Sequence, residues 1–353
     1  MLLDSFNRWF NVSFNLSYRI LQRSKFKDAV KRAQAPSSYT TLLQSFAISF
    51  GDTHIVRGSP FLFELLSTAS QLESLYLDKF SPDFKLPFSQ LHELNVRNLD
   101  RSVQILECLS MCHDLQETEL SCLSLRHDDL DGATGIRLPK LHTFDLCLAA
   151  CNTNGHHIFP YLNLPALRDF GILMDEARPQ EEATLLSHSL QDLITRSGCQ
   201  LTTLTLSTGL SDKDLVQILS LTPNLSHLDL GHLECRAVTN SFLEKMTLSH
   251  ERSDAGHALV PHLTYLHILF DAFECEIPPA SLPTPSLILA MVKSRRMLDR
   301  DSEGLQTFCL EAYHTSNGFS QLQNWVLSLI RDAEPGLREL EEDGLELDLY
   351  LDY

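Results

Sequence analysis

A six-residue phrase recurs along this chain: Leu, two variable residues, an apolar residue, one variable residue and a second apolar residue. Leu43-Phe46-Ile48, Leu72-Leu75-Leu77, Leu91-Leu94-Val96, Leu141-Phe144-Leu146 and Leu167-Phe170-Ile172 read it. Leu201-Leu204-Leu206, Leu225-Leu228-Leu230, Leu263-Leu266-Ile268 and Leu305-Phe308-Leu310 continue it, and Leu115-Thr118-Leu120 is a degraded copy. The leading leucines are spaced 29, 19, 24, 26, 26, 34, 24, 38 and 42 residues apart. A single copy cannot bury its apolar pair by itself; neighbouring copies stacked side by side can, so the chain grows along one axis.

Inside each phrase the apolar period is two, the period of a strand. Between phrases it becomes 3.6. Ser211 with Asp214 reads as an N-cap ahead of Leu215, Ile218 and Leu219. Leu322, Trp325, Val326, Leu329 and Ile330 form a helical stripe with Ser320 as its N-cap. Leu185, Leu186, Leu190, Leu193 and Ile194 form another, and Val103, Ile105, Leu106 and Leu109 a weaker one. Pro139, Pro165, Pro223 and Pro261 each stand two residues before a leading Leu, where a helix must have ended. The fold expected is an α/β leucine-rich repeat solenoid with irregular repeats: a curved parallel sheet inside and helices on the convex side. The longer intervals predict insertions at 249–258 and 271–286. The usual Asn or Cys of the turn is replaced by Phe80, Leu99, Leu123, Ala149, Gly209 and Leu233, so the turns must satisfy their backbone in another way.

Three segments follow. Residues 1–36 are an N-terminal strand, alternating from Asn11 to Ile20, and a basic helix or linker ending at Pro36; residues 37–343 are the solenoid. Residues 344–353 are an edge strand and acidic tail, opened by Gly344, which stops a short helix holding Leu337 and Leu340. Leu345, Leu347, Leu349 and Leu351 alternate there with Glu346, Asp348, Tyr350 and Asp352, whose three acids discourage edge pairing.

The 353 residues carry a net charge of −18, which disfavours nucleic acid. No apolar run is long enough to span a membrane, and Met1-Leu2-Leu3-Asp4 lacks the apolar core of a signal peptide. Nine cysteines without framework spacing then imply a reducing compartment, cytoplasm or nucleus.

The repeats, the leading prolines, the strand from Trp9 to Tyr18 and the close from Leu337 to Leu351 resemble the leucine-rich F-box proteins expanded in basidiomycete fungi. The resemblance implies substrate recognition for a Skp–cullin ubiquitin ligase. An F-box opens with Leu-Pro-x-Glu, and nothing in residues 1–60 matches it. The chain is then either truncated or has lost the adaptor-binding module, and a Skp-type adaptor is expected only if an F-box is encoded upstream. The alternative is a free-standing repeat scaffold or inhibitor with no ligase role.

No catalytic elbow, phosphate loop or His-Glu-x-x-His stands in the sequence, and Asp131 to Gly135 is a turn signal. The expectation is a non-enzymatic protein without cofactor. Two clusters have the donors for zinc, Cys147-Cys151-His156-His157 and Cys108-Cys112-His113, but neither has zinc-finger spacing, and small packing cysteines are favoured. His92, His142, His227 and His267 are read as strand-surface histidines. The candidate partner-binding site is the concave face, at the variable strand positions: Tyr76, Asp78, Glu93, Arg97, Glu117, Glu119, Asp145, Asp169, Asp229, Tyr265 and His267, with Asn95 and Thr205 among them. Acids outnumber bases there, which favours a protein partner with a basic segment, anchored on Tyr76 and Tyr265.

Overall fold

The structure is a computed structural model, and it describes residues 8–16, 25, 28, 42–50, 60–126, 130, 132–148, 155–174, 180–233, 237–248, 259–271, 282–296, 304–313 and 320–351. The chain forms two compact units, Met1–Ala166 and Leu167–Tyr353.

In the first unit the strands are β1 (Asn11–Leu16), β2 (Ser45–Phe50), β3 (Ser74–Leu77), β4 (Glu93–Arg101), β5 (Glu117–Arg126) and β7 (Thr143–Leu148). They pair in parallel in that order. A small parallel pair, β6 (Ile136–Arg137) and β8 (Leu162–Asn163), stands apart. Helices α1 (Pro60–Leu66) and α2 (Ser102–Met111) provide two of the crossovers. The 19-residue interval between Leu72 and Leu91 is too short for a full helix and a turn, and a 3₁₀ turn at Phe88–Gln90 takes its place.

The second unit repeats the plan with β9 (Asp169–Met174), β10 (Thr203–Ser207), β11 (His227–Leu233), β12 (Tyr265–Asp271), β13 (Thr307–Tyr313) and β14 (Glu346–Leu351), again parallel in order. The crossovers hold α3 (Gln180–Ser197), α4 (Asp212–Ser220), α5 (Asn240–Met246), α6 (Pro285–Arg296) and the pair α7 (Ser320–Asp332) and α8 (Glu334–Glu342). Each unit is an α/β leucine-rich repeat solenoid.

The repeat register is borne out residue by residue. All thirty members of the ten phrases are no more than 2% exposed. Thr118, the polar member of the degraded copy, is buried with them, and its hydroxyl donates to the Leu94 carbonyl at 2.6 Å. The strand therefore keeps its place because the one polar group on its inner face has a backbone partner. A second device sets the register. At most strands the carbonyl just ahead accepts two successive N–H groups from the next: Gln44 from Glu73 and Ser74, His92 from Gln116 and Glu117, Thr202 from Ser226 and His227, Thr264 from Gln306 and Thr307. His92 and His142 accordingly stand one residue before their strands rather than on them.

The missing turn asparagines have local substitutes. Asn98, at φ +53°, donates from Nδ2 to the Asp78 carbonyl at 3.0 Å, and Ser207 donates to the Met174 carbonyl at 3.2 Å. Phe80 and Leu99 are simply buried, Phe80 edge-on to Phe88.

Helix ends follow the sequence in two cases. Ser211 accepts from the Asp214 N–H and its hydroxyl bonds the Asp214 carboxylate, capping α4. At the end of α8, Gly344 has φ +91°, its N–H bonds Glu341 and the Leu345 N–H reaches back to Leu340. Only glycine adopts that conformation without strain, and the paired bonds with Leu340 and Leu345 buried make a Schellman stop. Two expectations need correction. Leu185 is 52% exposed, because the buried stripe of α3 runs through Ala183, Leu186, Leu190, Leu193 and Ile194 instead. Ser320 is the first residue of α7 rather than its cap. Of the N-terminal strand, Asn11–Leu16 is seen, with Trp9 buried edge-on to Phe14; residues 17–20, nearly all of the expected basic helix and the insertion at 249–258 lie outside the described residues. Of the second insertion, Asp271 closes β12, and Pro285 and Ser286 begin α6.

Among the described residues Arg295 is the largest fully buried side chain, with no acid beside it in its hydrogen-bond set. Its guanidinium donates to the carbonyls of Met246, Val260 and Leu259 at 2.7, 2.9 and 2.7 Å. Burial lowers its pKa to about 10, still charged at neutral pH. It closes the C-terminus of α5 and holds Val260, a β-branched residue at φ +43°, in a conformation that its side chain disfavours.

Leu228→Ala should cost ~2–5 kcal/mol in a denaturant titration, whereas Thr205→Ala, on the opposite face of the neighbouring strand, should cost under about 0.5 kcal/mol. Arg295→Met should cost about 3 kcal/mol or more, since the Met246, Leu259 and Val260 carbonyls all lose a charged donor at once.

Candidate functional site

The alternation that buries the phrases exposes the residues between them. In the first unit one lateral row runs Ser74, Glu93, Glu117, Thr143, and the next Tyr76, Asn95, Glu119, Asp145. Glu93 thus lies beside Glu117, and Glu119 beside Asp145, on strands spaced by about 4.8 Å. Like charges in register disfavour the sheet, so folding alone does not ask for them. Part of that cost is offset. Glu93 accepts from Ser74 at 2.7 Å and from Asn95 at 3.3 Å, and Asn95 accepts from the Glu119 N–H at 3.1 Å. The Arg97 guanidinium lies 5.0 Å from the centre of the Tyr76 ring, a cation–π contact that leaves its charge on the face beside Asp78. Burial raises the Tyr76 phenol above its ordinary pKa, with Arg97 opposing.

The second unit carries the denser group. One row reads Asp169, Thr203, His227, Tyr265, Thr307, Glu346 and the next Gly171, Thr205, Asp229, His267, Cys309, Asp348. Glu311 follows Cys309 on the same face of β13. Across both rows and Glu311 there are five carboxylates and no Lys or Arg. His267 sits in the middle. Its Nδ1 lies 2.9 Å from Asp229 Oδ1, and its Nε2 is 3.6 Å from Glu311 Oε1, buried without a hydrogen-bond partner. The Asp229 hydrogen bond raises the His267 pKa; burial opposes it, and the charges of Asp229, Glu311 and Asp348 add to the rise. Beside it, the His227 and Tyr265 rings stack with centroids 5.7 Å apart. The Tyr265 phenol is pushed up to about 12, by burial first and then by Cys309 and the nearby acids.

The structure thus gathers Asp229, Tyr265 and His267 into one group and places Tyr76, Glu93, Arg97, Glu117, Glu119 and Asp145 on the first unit's face with Asp78. Asp169 stands on the second unit's first strand, five strands from Glu346, and accepts from the Thr202 hydroxyl at 3.3 Å. Sequence reasoning missed Cys309, Glu311 and Asp348. The signal was available: Cys309 holds the same place in the tenth phrase as His267 in the ninth, and Asp348 alternates with the leucines of the last strand.

Asp229, His267 and Cys309 stand side by side in the order of an acid, base and thiol relay. The thiol pKa is raised, by burial first, against a hydrogen bond from Tyr265 that lowers it and with Asp348, Glu311 and Glu346 adding to the rise, the reverse of an activated nucleophile. Among the described residues no group of three or more His, Cys, Asp and Glu is arranged to hold a metal ion. Cys108 and Cys112 are fully buried with raised pKa values, Cys112 to about 12, while His113 is exposed. Cys147 lies on β7; Cys151 and the side chain of His156 lie outside the described residues. A pocket of about 310 Å³ at the ends of α3 and α4 is lined by Ile194, Cys199, Leu221 and Asn224 among others, and none of its lining residues carries a charge. Among the described residues no helix is long and apolar enough to cross a membrane.

No family model and no curated protein matches this chain. Among solved structures, a chain of the crystal structure of the yeast Rad7 and Elc1 complex is similar at 18% identity and a TM-score of 0.42, over 76% of this chain. This chain spans 64% of the length of that one.

The pairing at His267 has a sign that can be checked. A raised folded-state pKa contributes stability that is fully present below the ordinary imidazole range and is lost as pH rises through the folded value. The melting temperature of the chain should exceed that of His267→Gln most at about pH 6, and the gap should narrow toward about pH 8.5. A gap that widens with pH would contradict the assignment.

Proposed function

We propose that this chain is a protein-binding leucine-rich repeat module, without chemistry of its own, whose helix-free strand faces capture a basic segment of a partner protein. The observation that carries the reading is the second unit's face: Asp169, Asp229, Glu311, Glu346 and Asp348 in adjoining rows, with no Lys or Arg among them. A fold gains nothing from stacking one sign of charge over a sheet. A cationic partner does, through faster encounter and fixed register. Tyr265, stacked on His227, supplies an aromatic surface in the same place, and Tyr76 does so on the first unit.

The finer reading is the role that the leucine-rich F-box resemblance implies, substrate recognition for a Skp–cullin ubiquitin ligase in the cytoplasm or nucleus, with the Skp-type adaptor engaged through a separate F-box. The same faces would serve a free-standing scaffold or inhibitor. Co-purification of a Skp-type adaptor with the full-length gene product supports the first; an assembly holding the partner but no adaptor supports the second.

The test is affinity capture with mass spectrometry, run on the intact chain and on two charge-reversed forms. Glu117→Lys, Glu119→Lys and Asp145→Lys reverse the first unit; Glu311→Lys and Asp348→Lys reverse the second. Loss of the partner from at least one reversed form, with its melting temperature retained, is the expected result. Undiminished capture by both would move the site to the helical side.

A further inference from the structure

Among the described residues, His267 is the one imidazole with a hydrogen bond to one carboxylate and close approach to another on different strands. Asp229 on β11 takes its Nδ1 at 2.9 Å, and Glu311 on β13 stands 3.6 Å from its Nε2. Asp348 on β14 adds a third negative charge at longer range. The other titratable groups facing it are Tyr265 on its own strand, His227 next to Asp229 on β11, and Cys309 on β13. Both Tyr265 and Cys309 stay neutral through the physiological range, because burial raises both. The charge that changes between Asp229 and Glu311 is therefore the one on His267, which lies between acids on both sides.

We propose that His267 is a proton gate on the second unit's docking face: protonated, it bridges Asp229 and Glu311 and occupies the place of a partner's cation; neutral, it keeps its Nδ1–H bond to Asp229 but leaves the negative charge of the two carboxylates to the partner. The proposal rests on the reading that this face captures a basic segment. The geometry explains why the gate closes on protonation. A proton on Nε2 gives that buried nitrogen a donor for Glu311, a short movement away, and converts an unpartnered atom into a charge-assisted bond. An ammonium or guanidinium from a partner must then compete with an internal cation already in place. Binding and protonation oppose each other, so docking of a basic segment expels a proton, and by linkage the affinity rises with pH.

The experiment uses the intact chain and an octalysine peptide as probe, at fixed ionic strength. Isothermal titration is run at about pH 6, 7 and 8.5, in buffers of different ionisation enthalpy, so that proton release is measured directly. The wild-type chain should bind about three- to tenfold more tightly at the highest pH than at the lowest, releasing a fraction of one proton near the middle of the range. His267→Gln should lose most of the pH dependence, bind more tightly than the wild type at low pH, and release fewer protons. That flattened profile separates loss of the gate from loss of the fold, which would weaken binding at every pH. Tight binding with the same pH dependence in both chains, or no proton release by the wild type, overturns the gate and leaves the basic-segment reading standing. Absence of octalysine binding at every pH overturns both.

Discussion

The structure depends on one constraint: each strand must present alternate residues to the helices while its backbone stays in register with the strand before it. Two interactions impose it together. The apolar phrase supplies the burial, and the carbonyl ahead of most strands ties two successive N–H groups at the start of the next to a fixed position. A slip of one residue would turn every buried leucine to water and every carboxylate inward. The cost would recur at each strand, because the same pairing is repeated in both units.

That constraint also explains why polar residues inside the core are tolerated where they are. Thr118 replaces an apolar residue on the inner face of β5 and survives because its hydroxyl reaches the Leu94 carbonyl. Arg295 is charged and buried, yet Nε and both terminal nitrogens of its guanidinium each reach a carbonyl at a helix end or in a turn. In both cases the side chain completes the backbone's hydrogen bonding, which is also the task of the absent turn asparagine. Asn98 and Ser207 share that task at other positions, and the turns differ accordingly from repeat to repeat.

Much of this was legible from residue order. A leucine every 19–42 residues, followed by two apolar residues at a spacing of two, is enough to place ten strands and to say which side of each is buried. The cap at Ser211 and the stop at Gly344 were legible for the same reason, since each rests on a bond within one turn of helix. The misreadings have a common origin. Leu185 looks like a core residue until packing against the strands chooses which 100° of α3 is buried, and that choice is made by contacts distant in sequence. The contact between Glu311 and His267 joins residues 44 positions apart, and only the strand register brings them together. Arg295 carried no signal at all, because a basic residue near a helix C-terminus is ordinarily exposed.

The acidic faces follow from the alternation, and so the alternation is the claim to test first. Single cysteines placed in turn at positions 227, 228, 229 and 230 of β11, alkylated under native conditions and located by peptide mass spectrometry, report it directly. The account predicts rapid labelling at 227 and 229 and protection at 228 and 230. Labelling that is uniform along the strand, or fastest at 228 and 230, would contradict it and remove the docking faces with it.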